Sequence, residues 1–143
     1  MTNPHAPENL LKRQAKLAEL LKAHNLDAIA INAGPTQTYF TGARFHLMER
    51  PIVVLFAPGK TPVAVLPGFE KGKTVDLGFD LDTVTYGEDP AEWQAAFNQA
   101  GIKLGGAKRV GVEALRLRVM ELRYLEGAFP GASFESAEPV IAE

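Results

Sequence analysis

The stretch YFTGARFHLMERPIVVLF, Tyr39 to Phe56, places Arg44, His46, Glu49 and Arg50 in one short connection directly ahead of an apolar run. Two arginines this close can clamp a carboxylate, each offering a planar fork of charge-assisted donors. The imidazole of His46 can donate a hydrogen bond or change charge near neutral pH. On residue chemistry alone two readings stand. In one, Tyr39 and Phe40 pack in the core, Gly42 makes a turn and the four polar side chains are solvated. In the other, the loop is a contact element held at the mouth of a rigid sheet. Chemistry by itself favours the solvated reading, because loops are usually polar.

Other chemical signals are weaker. APGKTP and GFEKGKT both contain Gly-Lys-Thr, the ending of a phosphate loop, but that motif needs a glycine five residues before its second one. Val54 stands there for Gly59, and Pro67 for Gly72, so a hairpin turn and a helix end are the better readings. GIKLGGAKRVGVE puts its glycines before a strand, whereas a dinucleotide fingerprint puts them after one. The chain has three histidines, His5, His24 and His46, with no His-x-x-x-His pair, so no metal-ligand set is expected. Asp80 and Asp82 read as turn and strand-edge residues. Ser133 and Ser136 have no histidine near them in sequence to activate them. Arg116, Arg118 and Arg123 read as a solvated face without interleaved aromatics.

The elements that must position the loop follow from periodicity. The chain has 143 residues, the size of one domain, and 46% are hydrophobic, enough for a sizeable core. A net charge of −2 gives no bulk attraction to nucleic acid or to an anionic membrane, and neither is expected as a partner. The absence of cysteine excludes a disulfide scaffold and a thiolate nucleophile and fits a cytoplasmic protein. MTNPHAPENLL lacks a basic stretch followed by an apolar run, so no secretory leader is expected, and residues 1–7 read as a flexible tail. From Pro7 to about His24, Leu10, Leu11, Leu17, Ala18 and Leu21 recur at helical spacing. DAIAIN is a buried strand, and Pro35 opens a short helix through Phe40. Ile52–Ala57 and Pro62–Pro67, apolar throughout and separated by PGKT, form an antiparallel hairpin buried on both faces. Phe69 to Val75 reads as a helix, and Asp82–Gly87 as a half-exposed strand with Val84 and Tyr86 on one face. Asp89-Pro90 starts a helix running to about Ala100, with Trp93 and Phe97 inward. Arg109–Glu113 is a strand. A helix from Leu115 to about Glu126 is expected to turn Leu115, Val119, Leu122 and Leu125 inward, and Ala132–Ser136 is a last strand. Helices interleave with strands and one hairpin interrupts them. The expected fold is therefore a single α/β domain over 1–143, a three-layer sandwich with a mixed sheet of about six strands.

In order and spacing, four segments resemble the amino-terminal domain of the creatinase/prolidase/aminopeptidase P family. They are RQAKLAELLKAHNLDAIAI, TQTYFTG with its Tyr-x-Thr-Gly-like element, HLMERPIVVLFAPGKTPVAVLP, and PVIAE. The resemblance covers the chain from Arg13 onward and implies a ribonuclease H-like domain. It implies a parent enzyme that is a metal-dependent Xaa-Pro dipeptidase or aminopeptidase. Catalysis, with a divalent metal pair on two aspartates, a histidine and two glutamates, would belong to a separate pita-bread domain absent from this chain. On this view the chain holds no catalytic residue, metal ligand or cofactor and is inactive alone. Its partners are its own C-terminal catalytic domain, a second copy in a homodimer, and, in the full-length protein, a proline-containing peptide. In relatives resembling prolidase the loop before the hairpin reaches over the partner subunit's active site, so Arg44, His46, Glu49 and Arg50 become candidates for contact in trans. Met48 stands where some prolidases carry a histidine, and the histidine here is His46. Two alternatives remain: a free-standing binding or assembly module of the same fold, and the N-domain of a creatinase-like amidinohydrolase.

Overall fold

The computed structural model describes residues 6–75 and 77–142. Of the tail expected over residues 1–7, Met1–His5 lie outside the described residues, while Ala6 and Pro7 form the start of the first helix. The elements run α1 (Pro7–Ala23), β1 (Ala28–Asn32), α2 (Pro35–Thr41), β2 (Val53–Phe56), β3 (Val63–Pro67), a 3-10 helix (Gly68–Thr74), β4 (Asp82–Tyr86), a 3-10 turn (Pro90–Glu92), α3 (Trp93–Lys103), β5 (Arg109–Val112), α4 (Val119–Ala128), β6 (Ser133–Ser136) and α5 (Glu138–Ile141). The mixed sheet has six strands in the order β4-β3-β2-β1-β5-β6. β1 pairs with β5, β5 with β6, and β3 with β4 in parallel, whereas β2 is antiparallel to both of its neighbours. Five strands therefore point one way and β2 points back.

Strand alternation explains why the central runs carry no polar face. Ile29, Ile31, Val54, Phe56 and Leu66 face one layer, built from α1, α2 and the segment before β2. Ala30, Val53, Leu55, Val63, Val65, Val110 and Val112 face the other, built on Trp93, Ala96 and Phe97 of α3 and Leu125 of α4. A sheet covered on both sides needs apolar residues at both parities. The result is the expected three-layer α/β sandwich, extended by α5, a helical turn that the sequence pattern did not indicate.

Two helices differ in detail from expectation. In α1, Leu10, Leu17 and Leu21 are buried, but Leu11 lies to one side and is exposed. The helix expected from Leu115 begins at Val119, and Leu115 and Val119 are exposed. Leu122 is only half-buried, and the inward face is instead Met120, Glu121, Tyr124, Leu125 and Ala128. The reason lies at the helix start. The fully buried Glu121 carboxylate accepts from the Arg118 backbone amide at 3.1 Å and from its guanidinium at 2.5 Å, capping the first turn and turning Glu121 inward. Arg118, read as solvated, is thus the half-exposed partner of a fully buried carboxylate.

Candidate functional site

Because β2 alone is reversed, its N-terminal end meets the C-terminal ends of the other five strands along one edge of the sheet. The connections there are Ala33–Gly34 leading into α2, residues 43–52, the 3-10 helix 68–74, Gly87–Asp89, Glu113–Arg118 and Ala137. In α/β folds the edge carrying the strand C-termini is where ligands are met. The expected contact loop lies on this edge for a topological reason, since it feeds the one reversed strand.

The loop leaves α2 through Gly42, whose φ of 77° is left-handed and whose amide donates to Thr38 O at 2.8 Å. From there its side chains alternate between core and solvent. Ala43, Phe45, Pro51 and Ile52 are buried and Met48 packs on the core, while Arg44, His46, Leu47 and Glu49 are exposed and Arg50 is partly exposed. The inward residues are the anchor and the outward ones are presented. Lys73 lies 5.5 Å from the Phe45 ring centroid and donates to the Arg44 carbonyl at 3.4 Å, tying the loop to the 3-10 helix. The Tyr86 hydroxyl donates to Pro51 O at 2.5 Å, tying it to the end of β4. Burial pushes that hydroxyl well above its usual range, against the pull of the nearby Arg50 guanidinium, so it stays a donor.

The four candidate residues share the edge but do not form one cluster. Among the described residues no hydrogen bond or ion pair links any two of them. Arg50 does not pair with its neighbour Glu49. It pairs with Glu88, thirty-eight positions along the chain, and its guanidinium lies 5.3 Å from the centroid of the exposed Phe69 ring. Tyr39, one candidate for the core, is exposed, with Arg13 stacked 4.1 Å from its ring centroid, and Phe40 takes the buried place.

Sequence reasoning missed several polar groups on this edge. Glu113, directly after β5, is 4% exposed and accepts from Thr36 Oγ1 at 2.6 Å, with the Arg116 guanidinium 3.8 Å away. Burial raises its carboxyl above the usual range, opposed by the Thr36 hydrogen bond. Gln37 is buried in α2 and donates to Ile31 O at 2.9 Å and Ile52 O at 3.3 Å, which stitches β1 to the end of the loop. Only the position of Glu113 at a strand end signals such a role in the sequence. Among the described residues no group of three or more His, Asp or Glu side chains is placed to hold a metal ion, and no helix is long and apolar enough to cross a membrane.

The sequence profile described as the creatinase/prolidase N-terminal domain matches residues 13–143. The chain belongs to that family. This bears out the resemblance carried by TQTYFTG and the Glu-Arg loop. No curated protein matches the chain. Among solved structures it is similar to the N-terminal domain of Xaa-Pro dipeptidase from Lactobacillus brevis, with a TM-score of 0.76 and 20% identity over 92% of this chain and 98% of that one. A proline dipeptidase from Streptococcus pneumoniae TIGR4 gives a TM-score of 0.79 and 22% identity over 91% and 94%. Dipeptidase PepE from Mycobacterium ulcerans gives 0.77 and 21% over 95% of this chain, but the match spans only 36% of that protein. At these identities the likeness establishes the creatinase/prolidase N-terminal fold.

Proposed function

We propose that this domain is the non-catalytic N-terminal part of a metal-dependent Xaa-Pro dipeptidase or aminopeptidase, and that its 43–52 loop serves the substrate pocket of the partner subunit in a dimer. The observation that carries the reading is the way the loop is built. Buried residues and the Arg44 carbonyl tie it to β2, β4 and the 3-10 helix, while the side chains of Arg44, His46, Glu49 and, in part, Arg50 are presented outward on the edge that carries the strand C-termini. A polar loop that needed only solvation would not require three separate anchors. Arg50 supplies the forked donor that a peptide carboxylate accepts from, and lysine there would keep the charge but lose the fork. Among the described residues no side-chain group fits a metal pair, which this reading assigns to the catalytic domain, and no step here runs through it.

The test is to express the chain alone and in frame with the coding sequence that follows it, and to assay Xaa-Pro hydrolysis with and without chelator. The reading expects activity only in the longer protein, with loss on chelation. It further expects Arg50→Lys to weaken substrate use there without unfolding the domain. Chelator-sensitive hydrolysis by the chain alone, or a longer protein with no peptidase activity, overturns it.

A further inference from the structure

We propose that Glu88 and Phe69 are positioning residues for Arg50, holding its guanidinium in one direction on the sheet edge so that an unused side of the fork faces the ligand. This rests on the reading that Arg50 meets substrate. A free arginine samples many rotamers, and ordering it at the moment of binding costs affinity. Here the ordering is done beforehand by two connections distant in sequence. Phe69, from the 3-10 helix after β3, lies beneath the guanidinium, and Glu88, from the connection after β4, takes Nη2. Among the described residues Nε and Nη1 make no hydrogen bond, so one side of the fork remains for a carboxylate.

Neither residue is explained by folding. Phe69 is 61% exposed, among the most exposed large apolar side chains in the chain, and the Glu88 side chain is 77% exposed. Exposed ion pairs contribute little to stability. Yet the backbone that carries Glu88 is held on both sides. Gly87 O accepts from the Trp93 indole at 3.3 Å, and the Asp89 carboxylate accepts from the Ala91 amide at 3.0 Å. On the Arg50 side, Pro51 O is held by Tyr86. Three rigid strand ends thus converge on one partly exposed guanidinium, the arrangement expected of a supported binding group. On the proposed function, the group this guanidinium meets is the terminal carboxylate of the peptide substrate.

The experiment compares Glu88→Gln, Phe69→Leu, Phe69→Tyr and Arg50→Ala in the full-length enzyme, reading KM and kcat separately on one Xaa-Pro dipeptide. Arg50→Ala is expected to raise KM about tenfold, and Glu88→Gln and Phe69→Leu about fivefold each with kcat little changed. Phe69→Tyr, which keeps the ring, should stay within about twofold of wild type. Alongside, NMR of the isolated chain reads the Arg50 Nε–Hε resonance. The Phe69 ring current should shift it, and Phe69→Leu should return it to the position of a free arginine. If Arg50→Ala raises KM while Glu88→Gln and Phe69→Leu do not, the positioning role is overturned and the proposed function stands. If Arg50→Ala leaves KM unchanged, both fall. If the resonance is the same in Phe69→Leu and wild type, the stack does not exist in solution and the inference falls whatever the kinetics.

Discussion

Gly101→Ala tests the packing of α3 on α4 at a single atom. Gly101 is buried near the end of α3, and a Cβ built there would stand 2.5 Å from the Ala128 carbonyl oxygen and 3.2 Å from its carbon. A relaxed carbon–oxygen contact is about 3.3–3.6 Å, so the methyl is short of room by roughly 0.8–1 Å. The obstacle is backbone, which cannot rotate away, so the two helices must part. Overpacking of this kind costs about 1–3 kcal/mol. Against it, alanine gains up to about 1 kcal/mol over glycine in a helix interior, and less here, two residues before the last residue of α3. The net expectation is a loss of about 1–2 kcal/mol, or a fall in Tm of roughly 3–8 °C at this chain length. Urea unfolding followed by the single tryptophan, Trp93 of α3, reads it directly. Gly127→Ala is the internal control. The Cβ there would meet only the end of the Gln94 side chain, at 2.5 Å, and that side chain can swing aside. It gives up a 3.0 Å bond to Tyr124 O, so helix gain and lost hydrogen bond offset to within about 1 kcal/mol. A Gly101→Ala protein as stable as wild type, or more so, would show that α3 and α4 do not touch at this point.

Val53→Ala removes buried volume where β2, paired between β1 and β3, faces the α3–α4 layer, and is expected to cost about 1–3 kcal/mol by the same unfolding assay; no change would mean that β2 is not central. Arg50→Ala in the isolated chain should shift stability by only about 0.5 kcal/mol, as at a surface site; a loss of several kcal/mol, matched by the loss of activity in the longer enzyme, would make Arg50 structural. Glu113 has a carboxyl raised above 4.5 by burial, so its contribution to stability is complete below 4.5 and is lost as pH rises through the folded value. Glu113→Gln, which keeps an acceptor for Thr36, should therefore be more stable than wild type near neutrality and lose that advantage below 4.5, read by unfolding between about pH 4 and 8. Asp27 has the opposite sign: amides of Lys108 and Arg109, both at 2.9 Å, hold its carboxyl below 3.8, so its contribution is present above 3.8 and is lost on acidification. Asp27→Asn should lose stability near neutrality and converge on wild type in acid.

Much of this protein is decided by local pattern. Runs such as AIAIN and VAVLP are apolar at both parities, which only a strand covered on two faces requires, and Ile29, Ile31, Val53, Leu55, Val63, Val65, Val110 and Val112 are all buried. Helix starts at Pro7 and Pro35 follow from what proline does to the first turn. The turn between β2 and β3 follows from a short glycine-containing break between two such runs. The profile match rests on the same order and spacing, so the family too was legible along the chain.

What the chain could not show in one dimension was phase and partnership. In LRLRVMELRYLEG the apolar residues fit more than one helical face, and of the four that periodicity turned inward only Leu125 is buried. The choice falls to Arg118 and the buried Glu121, whose pairing fixes where α4 starts and so which way it is turned. Arg50 has Glu49 beside it in sequence, yet its partners are Glu88 and Phe69, because charge and aromatic contacts depend on distance in space. Those three residues meet only because β2 runs against its neighbours, which carries its leading loop to the edge where β3 and β4 end. Strand direction is set by pairing across the whole sheet, and no short window of sequence contains it.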